Sequence, residues 1–184
     1  MTITELQQLY AVHPQLKAAT ATLTKSNSRH LFCSGMLASC PSLFGSLLVS
    51  KTALPFVFIL NDLEEAGYFY HDLTQLLGDK DVLFFPSSFR RAIKYGQKDS
   101  ANEVLRTEVL SALEKDRCRC IVTYPDALAE KVVSRSELES NTLSIRIGEK
   151  VDMKFVAEVL RSYNFERVDY VYEPGQFAVR GSLI

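Results

Sequence analysis

Phe56-Val57-Phe58-Ile59-Leu60, followed by Asn61-Asp62-Leu63-Glu64-Glu65, is the stretch whose reading decides the fold. The uninterrupted apolar run predicts a strand buried on both faces, as in a parallel sheet. Asn61-Asp62 can cap a helix directly after it, with Glu64 and Glu65 in the first turn, where the helix dipole favours acids. That helix runs to about Leu77 and stops at Gly78. Val82–Phe85 is the next predicted buried strand. Ser100-Ala101-Asn102-Glu103 has the form of a capping box, and Leu105, Val109 and Ala112–Leu113 share one face of the helix it opens. Cys120–Thr123 is a further strand, and Pro125 opens a helical turn after it. Strands alternating with helices over short connections define an α/β domain, a parallel sheet flanked by helices, over residues 1–130.

Upstream of the deciding stretch, Thr4 to Ala19 reads as one or two helices, and Thr24–Arg29 as a polar break. His30–Cys33 is then a short first strand leading into Ser34-Gly35. Leu43–Val49 is a buried helix after Pro41-Ser42, since proline is tolerated where its missing N–H has no helical partner. Downstream the rhythm changes. Val132–Ser144 is polar and irregular, and Leu143–Ile147 is a predicted strand. Val151–Tyr163 forms an amphipathic helix with Phe155, Val156, Val159, Leu160 and Tyr163 on one side. Arg167–Tyr172 and Phe177–Ile184 are read as two strands of a hairpin, joined at Glu173-Pro174-Gly175-Gln176, where Pro then Gly suits a type II turn. Residues 131–184 thus begin an α+β domain. The chain is expected to be cut from a longer protein inside its closing segment Glu173–Ile184.

The charge balance excludes bulk attraction to nucleic acid: 21 basic and 22 acidic side chains leave a net charge of −1. No stretch approaches the roughly 18 apolar residues of a membrane helix, and MTITELQQLY lacks the basic and apolar regions of a secretory signal. Cys33, Cys40, Cys118 and Cys120 fit reduced thiols in a cytoplasmic protein. Cys118-Arg119-Cys120 is too tightly spaced for the usual zinc pair.

A phosphate-binding loop needs glycines for backbone N–H groups to wrap the phosphates, a lysine to reach them and a hydroxyl for magnesium. Ser34–Pro41 occupies the right place but has one glycine, no lysine and a proline. Gly45-Ser46-Leu47-Leu48-Val49-Ser50-Lys51-Thr52 has the lysine and threonine but Ser50 for the second glycine, and it precedes a strand rather than following one. Asp62 is more economically a cap than a magnesium ligand. His13, His30 and His71 are scattered, and no nucleophile elbow occurs. The stretch Phe89–Lys98 carries Arg90, Arg91, Lys94 and Lys98 with two aromatics, a candidate phosphate-contact loop. In the closing strand Phe177 and Val179 point one way, while Ala178 and Arg180 point the other. Arg180 can then offer its guanidinium fork to a partner carboxylate.

The run Arg167-Val168-Asp169-Tyr170-Val171-Tyr172-Glu173-Pro174-Gly175-Gln176-Phe177-Ala178-Val179-Arg180-Gly181-Ser182-Leu183-Ile184 resembles the closing signature of the bacterial transcription-repair coupling factors. It is also similar to the second domain of the excision-repair helicase UvrB. Val122-Thr123-Tyr124-Pro125-Asp126-Ala127-Leu128 with Lys131-Val132-Val133 looks like the same family's connector. Phe85-Pro86-Ser87 with Asn102–Arg106 is a weaker match. The resemblance implies a degenerate, helicase-like first domain without its nucleotide site, followed by the start of a UvrA-binding domain. It implies a non-catalytic fragment with UvrA as partner through Arg180, and Arg167 as the weaker second contact. ATP and magnesium, RNA polymerase and DNA would be bound by other domains of a parent translocase. The helicase relative has another arginine where this chain has Ala178, which implies fewer charge-assisted bonds here. Two other readings stand beside it: a nucleotide-dependent, UvrB-like helicase fragment, and a DNA-binding module using Arg90, Arg91, Lys94 and Lys98.

Overall fold

A computed structural model describes residues 2–25, 30–89, 99–115 and 117–184. The basic group Arg90, Arg91, Lys94 and Lys98 lies outside the described residues. The chain opens with α1 (Ile3–Ala11), α2 (Pro14–Lys25) and α3 (Cys40–Lys51), followed by β1 (Phe56–Ile59), α4 (Leu63–Leu77) and β2 (Leu83–Phe85). Next come α5 (Ser100–Glu114), β3 (Cys120–Thr123), α6 (Pro125–Ala129) and α7 (Arg135–Ser140), then α8 (Met153–Ser162), β4 (Glu166–Arg167) and β5 (Gln176–Phe177).

The three longer strands form a parallel sheet in the order β1-β3-β2. The α/β architecture predicted from the alternation is therefore present, with helices on both faces. Ring contacts assign those faces. Phe58 meets Phe69 and Tyr70 meets Phe84, so α4 covers the side of the sheet to which Phe58 and Phe84 point. Arg106 of α5 lies over the Phe85 ring, on the opposite side. β3 is central and is buried at every residue. It carries the two-faced burial that the sequence assigns to Phe56–Leu60. β1 is instead an edge strand whose Val57 and Ile59 are 56% and 58% exposed, because α5 lies over the β2 side of that face.

Local chemistry sets the element ends. Asp62 is the N-cap of α4, its carboxylate accepting the Glu65 N–H at 2.9 Å, while Asn61 donates to Glu65 at 2.7 Å. Gly78 ends the helix at φ 95°, a conformation that disfavours a β-carbon. Asp62→Ala is expected to cost about 1 kcal/mol, the usual worth of such a cap. A lowered urea midpoint at unchanged slope is the check. At α5 the cap is Asp99, which accepts from Ala101 at 3.0 Å; Ser100, expected in that role, is already the first helical residue. The capping box of this chain's second half is Ser134 with Glu137, opening α7 within the segment read as irregular.

α3 is buried along Leu43, Leu47, Leu48 and Val49, as predicted, and it packs on α4. Arg119 pins its C-terminus to the sheet by donating to the carbonyls of Val49 and Thr52 at 2.8 and 2.7 Å. Gly45 is a packing residue: an added Cβ would sit 3.0 Å from the Phe58 ring. Burial pushes the Cys120 thiol up to about 12, making it an inert core side chain. Among the described residues no helix is long and apolar enough to cross a membrane.

Two predicted strands are not strands. Residues 30–37 carry no regular structure, and Phe32 is 91% exposed. The run is too short to bury a face, and it passes instead over the helices, where Leu31, Phe32 and Cys33 line a cavity. Leu143–Ile147 is likewise irregular and exposed, and it pairs with no strand among the described residues.

Candidate partner-docking surface

The closing segment is built on the end of α8. Asp152 caps this helix, accepting from Lys154 at 2.8 Å, and Val156 is its buried contact. Asn164, in the left-handed region at φ 62°, terminates it, with the Phe165 N–H returning to the Leu160 carbonyl at 2.9 Å. Glu166 and Arg167 then enter a ladder with Gln176 and Phe177 that is parallel, not the antiparallel hairpin expected. The predicted turn does form: Gly175 has φ 90°, and the Gln176 N–H points back to Glu173 at 3.4 Å. The pairing differs because the chain bends at Asp169–Tyr170, so the run from Arg167 to Tyr172 does not continue as a strand.

The tight reversal lies further on. Arg180 and Leu183 exchange two backbone hydrogen bonds of 3.0 Å around Gly181-Ser182. Gly181, at φ 59°, occupies the first central position, where a II′ turn takes glycine. Phe177 is buried and Arg180 projects to solvent, but the strand expected over Phe177–Ile184 ends at Phe177, because the chain leaves the ladder and turns at Gly181-Ser182.

Arg180 does not wave freely. Its Nη2 donates to the Asp169 carbonyl at 3.1 Å, and its guanidinium carbon stands 4.3 Å from the centroid of the Tyr170 ring. These two contacts tie the closing turn to the bend at Asp169–Tyr170. Arg167 is also exposed, and its backbone is paired with Phe177. Among the described residues neither arginine forms an ion pair; the ion pairs are Arg106–Glu130 and Arg135–Glu139. Tyr170 is 60% exposed, and Val171 and Tyr172 beside it are exposed too. Exposed arginine forks next to aromatic surface suit a partner that brings carboxylates.

A second polar assembly, which sequence reasoning missed, lies at the carboxyl ends of β2 and β3. Arg106 is only 6% exposed. Its Nη1 donates to the carbonyls of Pro86 at 2.7 Å and Ala127 at 3.1 Å, and lies 3.5 Å from Glu130. Glu130 in turn accepts from the Ser87 hydroxyl, the Ser88 hydroxyl at 2.7 Å and the Ser88 N–H at 2.9 Å. Burial pushes the Glu130 carboxyl up, but the serine hydrogen bonds and the Arg106 charge outweigh it and hold the group below its ordinary range. Ser87 is held further, donating its N–H to the Tyr124 hydroxyl at 2.8 Å and accepting from Asn102 at 2.9 Å. Among the described residues Arg106 Nη2 is the assembly's one buried side-chain polar atom without a hydrogen-bond partner. Its role is to fasten the chain after β2 to α5 and α6.

Ser34–Pro41 leads directly into α3, whose first residues are Cys40 and Pro41. Gly45–Thr52, the near-match to a phosphate loop, runs through the second half of α3 to its C-cap Thr52, so most of its N–H groups are spent on helical bonds. The cavity of about 430 Å³ under residues 31–36 is walled by side chains such as Leu16, Ala19, Phe32, Met36 and Phe44, and among the described residues no lysine or arginine lines it. Among the described residues no group of three or more His, Cys, Asp and Glu is placed to hold a metal ion.

The segment that carries both exposed arginines has a counterpart among known families. Residues 143–184 match the UvrB interaction domain, a protein-interaction module. The chain is also 27% identical over 150 residues to the transcription-repair-coupling factor of Bacillus subtilis (strain 168), covering 82% of this chain and 13% of that protein. It is 27% identical over 150 residues to the UvrABC system protein B of Ureaplasma parvum serovar 3, covering 74% of this chain and 22% of that protein. Homology to coupling factor and to UvrB thus covers most of the chain, while the chain spans a small part of either relative's length.

Proposed function

We propose that this chain is a docking module of nucleotide excision repair that recruits UvrA, and that it does so as the N-terminal part of a transcription-repair coupling factor. The observation that carries this reading is the match of residues 143–184 to the UvrB interaction domain, in the segment that presents Arg180 and Arg167 to solvent. In this reading the module performs no chemistry. Residues 1–130 act as a degenerate nucleotide-binding-like domain, and residues 131–184 begin the partner-binding domain. The parent protein works in the cytoplasm, and its motor domains bind ATP, magnesium, DNA and RNA polymerase.

The mode of binding follows from the exposed arginines. Charge-assisted pairs to carboxylates set register and encounter rate, and they weaken as salt screens them. Immobilised chain exposed to purified UvrA is expected to show saturable binding that falls with ionic strength. Absence of binding at low salt would overturn the reading.

A further inference from the structure

The contact between Arg180 and Tyr170 assigns a job to a residue that the docking reading leaves without one. Arginine side chains are long and rotamer-rich, so fixing one on a partner normally costs conformational entropy at the moment of binding. Here that ordering is already done. The ring of Tyr170 stands 4.3 Å from the guanidinium carbon, and the Asp169 carbonyl takes one N–H at 3.1 Å. A guanidinium can stack through its flat face on an aromatic ring and still use its N–H edge for hydrogen bonds. No carboxylate of the described residues neutralises it. Asp169 contributes its backbone carbonyl, so the positive charge is held in place yet left without a counter-ion. The surroundings also favour this division of labour. Asp169 and Tyr170 sit in a bend and Arg180 flanks a two-residue turn, so both anchor points are set by backbone geometry.

Resting on the docking reading above, we propose that Tyr170 is a positioning residue of the docking surface, holding the Arg180 guanidinium ready for an acidic patch on the partner. The ring face does this work and the phenolic hydroxyl does not. The test uses the whole chain with Tyr170→Phe, Tyr170→Leu, Arg180→Ala and the Tyr170→Leu/Arg180→Ala double variant. In the free chain, the Arg180 side-chain protons should show an upfield ring-current shift that survives Tyr170→Phe and vanishes in Tyr170→Leu. Toward purified UvrA, Tyr170→Phe should bind as the wild type does, and Tyr170→Leu about three- to tenfold more weakly, the size set by one side chain's ordering cost. The double variant should bind no more weakly than Arg180→Ala alone.

Wild-type binding by Tyr170→Leu, with Arg180→Ala weakened, would overturn the positioning role and leave the docking reading standing. Equal losses in Tyr170→Phe and Tyr170→Leu would overturn it in favour of direct contact through the hydroxyl. Undiminished binding by Arg180→Ala would overturn the docking reading at this surface, and the positioning role with it.

Discussion

Arg106→Ala is expected to destabilise the α/β unit by about 3–5 kcal/mol, the usual result of removing one member of a buried charge pair. The side chain is all but inaccessible, and it serves four groups at once: the Phe85 ring, the carbonyls of Pro86 and Ala127, and the Glu130 carboxylate. Truncation strands two carbonyls and leaves Glu130 with serine donors alone. Domains of this size are stable by about 5–15 kcal/mol, so the loss is a large share of the total. Arg106→Lys should rescue little, because a single ammonium cannot reproduce the guanidinium fork or its stack on Phe85.

The same assembly gives the fold an acid limb. The folded-state pKa of Glu130 is depressed from its ordinary 4.5, so the native state favours the ionised carboxylate. Its contribution is complete above about pH 4.5 and is lost as pH falls through the depressed value. Urea titrations at pH 6 and at pH 3 should show a drop for the wild type that is smaller in Glu130→Gln. A double-mutant cycle between Arg106 and Glu130 should return a coupling of about 0.5–3 kcal/mol.

The reason this assembly is hidden in the sequence is physical. Helical periodicity runs through Leu105, Val109, Ala112 and Leu113, yet the buried positions of α5 are Arg106 and Val109. A polar residue on a buried stripe breaks the pattern that reveals such stripes. One signal is available: Asn102 and Arg106 are four apart, on one face, and both reach the chain after β2. Glu130 carries no signal at all, since its role comes from the fold bringing it back to Ser87 and Ser88.

The strand–helix alternation is legible because short apolar runs bounded by Asp62, Gly78 and Pro125 state both the elements and their ends. The order β1-β3-β2 is not legible. An apolar run alone therefore places the two-faced burial at Phe56–Leu60, when the central strand is Cys120–Thr123. In the closing segment Pro174-Gly175 correctly marks a turn. Turn chemistry does not say which residues pair across it, however, and the bend at Asp169–Tyr170 converts an expected hairpin into a parallel ladder. Arg180 is proposed as a contact from its place in the closing motif. Its contact with Tyr170 depends on that bend, which no local pattern announces.

The second large effect concerns the partner. Arg180→Ala should leave the fold almost unchanged, since it removes one exposed hydrogen bond and one exposed stack. Binding is different. Covered by a partner, a charge-assisted pair that loses one member typically costs about 2–5 kcal/mol, and the orphaned carboxylate bears much of that cost. Arg167→Ala should cost less, because among the described residues nothing holds its side chain in advance.

The central claim is tested most directly by the dissociation constant of UvrA for the wild-type chain and for Arg180→Ala, both checked for unchanged circular dichroism. A weakening of about 30-fold or more, the equivalent of roughly 2 kcal/mol, is the result expected. Equal affinity of the two chains, or no binding by either, would contradict it.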